Sequence, residues 1–455
     1  MPKKRVIPDK IVEPAKQISR AYLSMDALLG AVRAIFKNIN DHRPREGKIS
    51  LADALMSALA MFLLKDPSLL AFDGRRQSDD GNLKRIFGIG EVPCDTHMRE
   101  ILDPTEPKSL RPAFLNLFNR LQRGGALKPF VFLDGHYLLS IDGTGTYSSN
   151  SLCSPACMIK KRKDGTETYY QQLLAASIVH PKLNTVIPLC PEMIQKQDGD
   201  SKNDCERNAA RRLLSNIRED HPGLKIIVVE DGLSSNGPHI RDLKAHNMRF
   251  ILGVKPGDHD FLFRNVTEAV NDGTATTLSM EDPDKPGILH TFTYLNNTPL
   301  NQANTDLLVN FFIYEEHNIE TGKTILFSWV TDITITSENI YTLMRGARGR
   351  WKIENETFNT LKNQGYNLEH NYGLGQQHLS EMFVMIMMLA FLIDQSNQMT
   401  STLFQAALQK MGSKRALWEE QRILFRSFEL DSLATLFTAI VNGFRQMRPD
   451  ILYSG

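Results

Sequence analysis

The sequence predicts an α/β protein whose strand-rich core lies between helical N- and C-terminal regions and is interrupted by a segment of strands alone. Three observations carry that reading: helical spacing of apolar residues before residue 130, short apolar or alternating runs from 131 to 256, and helical spacing again from 337. A length of 455 residues suggests two or three folded units. With 42% hydrophobic and 23% charged residues, the composition excludes disorder, collagen-like repeats and a membrane class.

Residues 1–130 read as a helical N-terminal domain and hold the basic excess. The first 50 residues carry 11 Lys+Arg against 5 Asp+Glu, leaving 42 against 47 for the remainder. Leu28, Val32 and Phe36, then Leu51, Leu55, Leu59 and Leu63 after a Pro/Gly break, recur at helical spacing. From 131 to 256 the runs 130–133, 137–141, 172–179 and 185–189 predict strands. A helix over 204–220 ends at His221-Pro222-Gly223. It is followed by a buried strand at 225–230, a helix at 238–247 and a strand at 249–254. Residues 257–336 add strand-like runs at 289–295, 307–314 and 324–330, an expected all-β insertion. Helical character returns over 337–400. There the 12-residue apolar run 382–393, with its methionines Met382, Met385, Met387 and Met388, reads as a core helix, shorter than the ~18 residues of a membrane span. Residues 401–455 form a helical tail, and the apolar spacing of 423–439 suits a partner face or an internal core equally.

A net charge of +1 lacks the whole-chain signature of a nucleic-acid binder, so any basic surface must be local. Five cysteines, Cys94, Cys153, Cys157, Cys190 and Cys205, form no disulfide framework and fit a reducing compartment. Their spacing lacks the paired short intervals of a zinc site, so no zinc is expected. No apolar run follows Met-Pro-Lys-Lys-Arg, so no secretory signal is expected either. Gly143-Thr144-Gly145 is too short for a phosphate-binding fingerprint, and His370 and His378 beside a core helix suit capping or packing.

Two acidic residues stand at the ends of strand-like runs: Asp142 before Gly143, and Asp231 before Gly232. Carboxylates on neighbouring strands can share hard cations such as Mg²⁺ through their oxygens. Taken singly, each Asp-Gly reads first as a turn. In the helical stretch 348–362, Arg350 and Glu354 are i and i+4 and share one face, where a cation can hold the carboxylate and meet a phosphate. Standing alone, that pair would be an ordinary surface ion pair.

Together these residues resemble the DDE transposases of bacterial insertion sequences, of the insertion-sequence-four type, whose RNase H-like core is interrupted by a β-rich insertion before its last acidic residue. Arg350 and Glu354 match the centre of that family's Tyr-x2-Arg-x3-Glu-x6-Lys signature. Ala347 stands in place of the tyrosine, and the lysine falls one place late, at Lys362. On a straight α-helix seven residues return a side chain to within about 20° of Glu354, whereas eight leave it about 80° round. The likeness covers roughly residues 90–395. Separations of 89 residues from Asp142 to Asp231, and 123 from Asp231 to Glu354, leave room for an insertion in the second gap.

The resemblance implies an RNase H-like mixed β-sheet core flanked by helices, in two parts at 131–256 and 337–400. It implies an enzyme in which Asp142, Asp231 and Glu354 are catalytic and bind two Mg²⁺ ions, with Mn²⁺ able to substitute. That enzyme cleaves transposon ends and joins the freed 3′-hydroxyls to target DNA by in-line phosphoryl transfer. Asp134 is a similar acid, but Ser-Ile-Asp-Gly-Thr around Asp142 better resembles the family's first-aspartate strand. Glu356 lies about 200° round the helix from Glu354, and Glu230 points to the opposite strand face from Asp231. Two other readings stay open: a domesticated, non-catalytic DNA-binding protein, and an RNase H-like endonuclease without strand transfer.

DNA contact would fall to two basic clusters, Lys160-Lys161-Arg162-Lys163 and Arg345, Arg348, Arg350 and Lys352, with Lys362 beyond. The first is equally well read as a solvated hairpin tip. Tyr147, Tyr169 and Tyr170 suit base stacking, or more ordinarily cross-strand packing. The expected partner is double-stranded DNA, both terminal inverted repeats and target, with a homodimer in the synaptic complex, N-terminal helices at the DNA ends and no membrane. The expected location is the bacterial cytoplasm, at the nucleoid.

Overall fold

The structure, a computed structural model, describes residues 21–443 apart from 44–46, 79, 200, 201 and 284. The basic stretch 1–20 and the end of the expected helical tail, 444–455, lie outside the described residues. Among the described residues six α-helices come first: α1 (Met25–Phe36), α2 (Leu51–Leu63), α3 (Leu69–Ser78), α4 (Asp80–Phe87), α5 (Asp95–Leu102) and α6 (Arg111–Arg123). Ser24 and Ser50 cap α1 and α2, each hydroxyl accepting a backbone N–H three residues on.

The core follows as β1 (Tyr137–Ser149), β2 (Met158–Lys161), β3 (Glu167–Val179), β4 (Ile187–Pro188), β5 (Glu192–Ile194), α7 (Lys202–Asp220), β6 (Ile226–Glu230), α8 (Gly237–Ala245) and β7 (Arg249–Gly253). Next come α9 (Asp260–Asn271), β8 (Thr276–Glu281), β9 (Ile288–Asn301), β10 (Asn304–Asn318) and β11 (Thr324–Thr331). All eleven strands belong to one mixed sheet, ordered β2-β3-β1-β6-β7-β11-β10-β9-β8, with β4 and β5 also on β3. β1, β6 and β7 run parallel, while β3 and β11 run antiparallel to their neighbours β1 and β7. Ile226 to Glu230 are buried throughout, the continuous run of a parallel strand covered on both faces.

Two expectations are corrected. The run 130–133 is no strand: Pro129 and a left-handed Asp134 (φ 50°) break it into two 3-10 turns. The segment 257–336 is not all β, because it opens with α9, whose Leu262, Val266 and Ala269 are buried on one helical face. Nor does that segment stand apart, since β11 pairs with β7 and extends the core sheet.

The described residues close with α10 (Ile340–Arg348), a π-helical turn (Ile353–Phe358), α11 (Asn359–Asn363), α12 (Leu379–Thr400), α13 (Thr402–Met411), α14 (Lys414–Ser427) and α15 (Leu433–Asn442). The first and last helices form a joint body, α2 packing on α12 and α1 on α15. Polar contacts stitch it. Asp26 accepts the N–H groups of Leu433 and Ala434 at the start of α15, and the Asn82 amide donates to the carbonyls of Phe425 and Phe428. α12 is long and apolar enough to cross a membrane, but 89% of its apolar window is buried inside the protein, so it serves as the central core helix. His378 stands at its N-cap position, but its side chain makes no capping hydrogen bond and lies 3.5 Å from Glu106 and 3.6 Å from Glu381.

Candidate active site

Register places the two aspartates side by side. Parallel pairing of β1 with β6 runs to Ser140 opposite Val229 and stops there, so Asp142 and Asp231, each two residues further, stand level where the strands part. Asp142 is not at a strand end, however. β1 continues to Ser149 on β3, with Asp142 opposite Ala175, because one-sided antiparallel pairing overrides the turn tendency of Asp-Gly.

The third acid comes from the segment after α10. The Ser140 hydroxyl donates to the Arg350 carbonyl at 3.0 Å, and the Ser177 and Thr357 hydroxyls meet at 3.2 Å. Gly346 sits so tightly on Phe132 that a Cβ would come within 2.8 Å of the ring. Held in this way, Arg350 directs Nη1 to Asp142 at 3.2 Å and to Glu354 at 2.8 Å. Its guanidinium also lies 4.5 Å over the ring of Trp351, a side chain 46% exposed. Asp134 is exposed in its turn, and Glu356 pairs with Lys352 at 3.6 Å.

The Asp142 carboxyl is pushed up from its ordinary 3.8 to about 7, first by burial and then by the charges of Glu354 and Asp231, against the pull of Arg350 and the Gly143 N–H. All three acids therefore share one field. Beside them lies a cleft of about 20 Å³, room for one water-sized species, lined by Asp142, Glu206, Glu230, Asp231 and His239. Glu230 is turned to His239 (2.6 Å) in a buried pair, which suits the structural role expected of it. Glu206 on α7 gave no local signal in the sequence. Its carboxylate faces Gly143, where a Cβ would stand 3.4 Å away.

As the side chains stand, no group of three or more His, Cys, Asp or Glu among the described residues is gathered closely enough to hold a metal ion. Arg350 occupies the place between Asp142 and Glu354. The donor set nevertheless suits a hard divalent cation, since it consists of carboxylate oxygens, and burial, with the charges of Glu354 and Asp231, holds the Asp142 proton toward neutral pH.

The pH dependence of stability follows in sign. Between about 4 and 7 the folded protein holds a proton on Asp142 that the unfolded chain has released, so stability falls as pH rises through that window and levels above it. In metal-free buffer, chemical denaturation from pH 4 to 8 is expected to show this decline, a few kcal/mol in size, and Asp142→Asn to flatten it. An unchanged slope in that variant would place the titration elsewhere.

The π turn answers the lysine spacing. An i→i+5 turn takes one residue more than an α turn, so the eight residues from Glu354 to Lys362 cover about the rotation that seven cover in a straight α-helix. The Lys362 amine itself pairs with Glu369 at 2.8 Å. Arg348 is directed away from the acids to Glu316 (2.7 Å) and packs over Tyr314 and Phe327. Lys160, Lys161, Arg162 and Lys163 are exposed at the β2–β3 hairpin, with Lys161 3.3 Å from Glu167. Tyr147 packs, 9% exposed, with its hydroxyl on the Leu152 carbonyl.

Fold and site define an α/β protein with three carboxylates and an arginine at the parting of two parallel strands. The chain matches no protein-family model and no curated protein.

Proposed function

We propose that the protein is a DNA transposase of the DDE type with an RNase H-like core, cutting at transposon ends and joining them to target DNA. The observation that supports this most is the register setting Asp142 level with Asp231, with Glu354 brought to them by Arg350. The order β2-β3-β1-β6-β7, with β3 antiparallel and β6 and β7 parallel to β1, is consistent with that core.

Asp142, Asp231 and Glu354 would hold Mg²⁺ or Mn²⁺, whose bound chemistry is to activate a hydroxyl and to stabilise the leaving oxygen at a phosphodiester. Arg350 positions Glu354 against Asp142 through Nη1, leaving its remaining N–H donors for a phosphate. Double-stranded DNA is the substrate, a homodimer holds two ends, and the bacterial cytoplasm at the nucleoid is the proposed location.

The test incubates the protein, with Mg²⁺, with supercoiled DNA carrying the sequences that flank its own gene. End-specific cleavage with insertion is expected. Cleavage alone would make it an endonuclease, and binding without cleavage a DNA-binding protein that has lost the chemistry.

A further inference from the structure

A second groove lies off the N-terminal end of β1, where Val131 bridges to Tyr137. Its volume is about 470 Å³, and Phe132, His180, Lys182, Tyr341 and Arg345 line it. No carboxylate among the described residues lines it, and neither Lys182 nor Arg345 forms an ion pair with a described residue. Lys182 is exposed. Burial, followed by the charges of Lys182 and Arg345, holds the His180 imidazole below its ordinary value, so at neutral pH it offers a neutral ring beside that of Phe132, 6.2 Å away. Unbalanced cations beside aromatic faces are the chemistry that receives a phosphodiester backbone and its bases.

The groove's place in the fold sets its relation to the acids. Arg345 precedes Glu354 by nine residues of nearly continuous helix, about 13 Å. Along β1, Asp142 lies five residues beyond Tyr137, whose bridge to Val131 brings it to the groove wall, about 17 Å. Lys352, which falls between Arg345 and Glu354 in the chain, is hydrogen-bonded to Asn184 at 2.8 Å. At about 3.4 Å per nucleotide these spans correspond to roughly four to five nucleotides.

Resting on the transposase reading above, we propose that this groove binds the DNA backbone four to five nucleotides from the phosphate placed at Asp142, Asp231 and Glu354, with Lys182 and Arg345 as its phosphate contacts. The occupant is nucleic acid rather than an acidic peptide because the wall sets the cations Lys182 and Arg345 among the rings of Phe132, His180 and Tyr341.

The test measures binding of a fluorescent 40-bp duplex of random sequence across a salt series, using full-length protein. Lys182→Ala/Arg345→Ala is expected to weaken binding and to lower the slope of log affinity against log salt by about 1.8, the loss of two phosphate contacts. Lys182→Arg/Arg345→Lys should keep the wild-type slope, which separates lost charge from damaged fold. On a cleaved substrate, hydroxyl-radical protection should vanish four to five nucleotides from the cut. If wild type cuts DNA and the alanine pair binds with unchanged slope and footprint, the groove inference fails while the transposase reading stands. If the alanine pair loses affinity for polyglutamate but not for the duplex, the groove is a peptide site and the inference is overturned. A wild-type protein that binds no DNA overturns both.

Discussion

Asp142→Asn is expected to lower Mg²⁺-dependent DNA cleavage by at least about 10³-fold, roughly 4 kcal/mol of lost transition-state stabilisation. Asp231→Asn and Glu354→Gln should do the same. The side-chain amide introduced by the first substitution can still accept the Gly143 N–H that Asp142 Oδ1 now accepts at 2.8 Å, so the strand is not disturbed. What is lost is an ionisable oxygen donor that interacts electrostatically with Asp231 and Glu354. Because the buried negative charge disappears, the same variant should be no less stable than wild type above pH 7, which separates loss of chemistry from loss of fold. Asp134→Asn and Glu356→Gln serve as controls that keep cleavage, one acid being exposed in a turn and the other paired with Lys352. If all three site variants cut as well as wild type, the assignment is wrong.

Asp394→Ala is expected to destabilise the protein by about 3–5 kcal/mol, read as a lower midpoint in urea. Lys65 is fully buried and donates to Asp394 Oδ2 at 2.6 Å and to the Leu63 carbonyl at 3.1 Å. Its ammonium also lies 4.2 Å from the ring centre of Tyr366 and 4.3 Å from that of Trp418. Asp394 additionally accepts the Tyr366 hydroxyl at 2.5 Å. Burial lowers the affinity of Lys65 for its proton and Asp394 offsets part of that, so deleting the carboxylate strands a cation in a dry interior and orphans a phenol. The damage reaches far, because this cluster joins the segment after α2 to α12 and α14. A change below about 1 kcal/mol would show that the pair does not hold these helices together. Lys65→Met with Asp394→Leu should recover part of the loss, since no unpaired charge then remains.

Much of the architecture was legible in the sequence because it rested on local periodicity. The spans 204–220 and 249–254 fall within a residue or two of α7 and β7, and Arg350 and Glu354 are legible because i,i+4 spacing is a property of any helix. What escaped depends on contacts remote in sequence. β1 runs on through Gly143 and Gly145 only because β3 pairs with it. Arg348 looks free in the sequence, but its partner Glu316 lies 32 residues upstream in the insertion. Glu206 becomes visible only when the chain brings α7 to Gly143. The π turn has no signature in residue type, yet it decides whether a lysine eight places from Glu354 keeps step with it.

The sheet's outer strand β2 bears on a different matter. β2 is a terminal strand, hydrogen-bonded on one side to β3, and such an edge invites a second chain to add to the sheet. Ile159 is 42% exposed there, yet Lys160 and Lys161 follow it directly, with Arg162 and Lys163 beyond. Desolvating those charges opposes docking of another strand. Charge at this edge thus works against copies of the protein joining edge to edge.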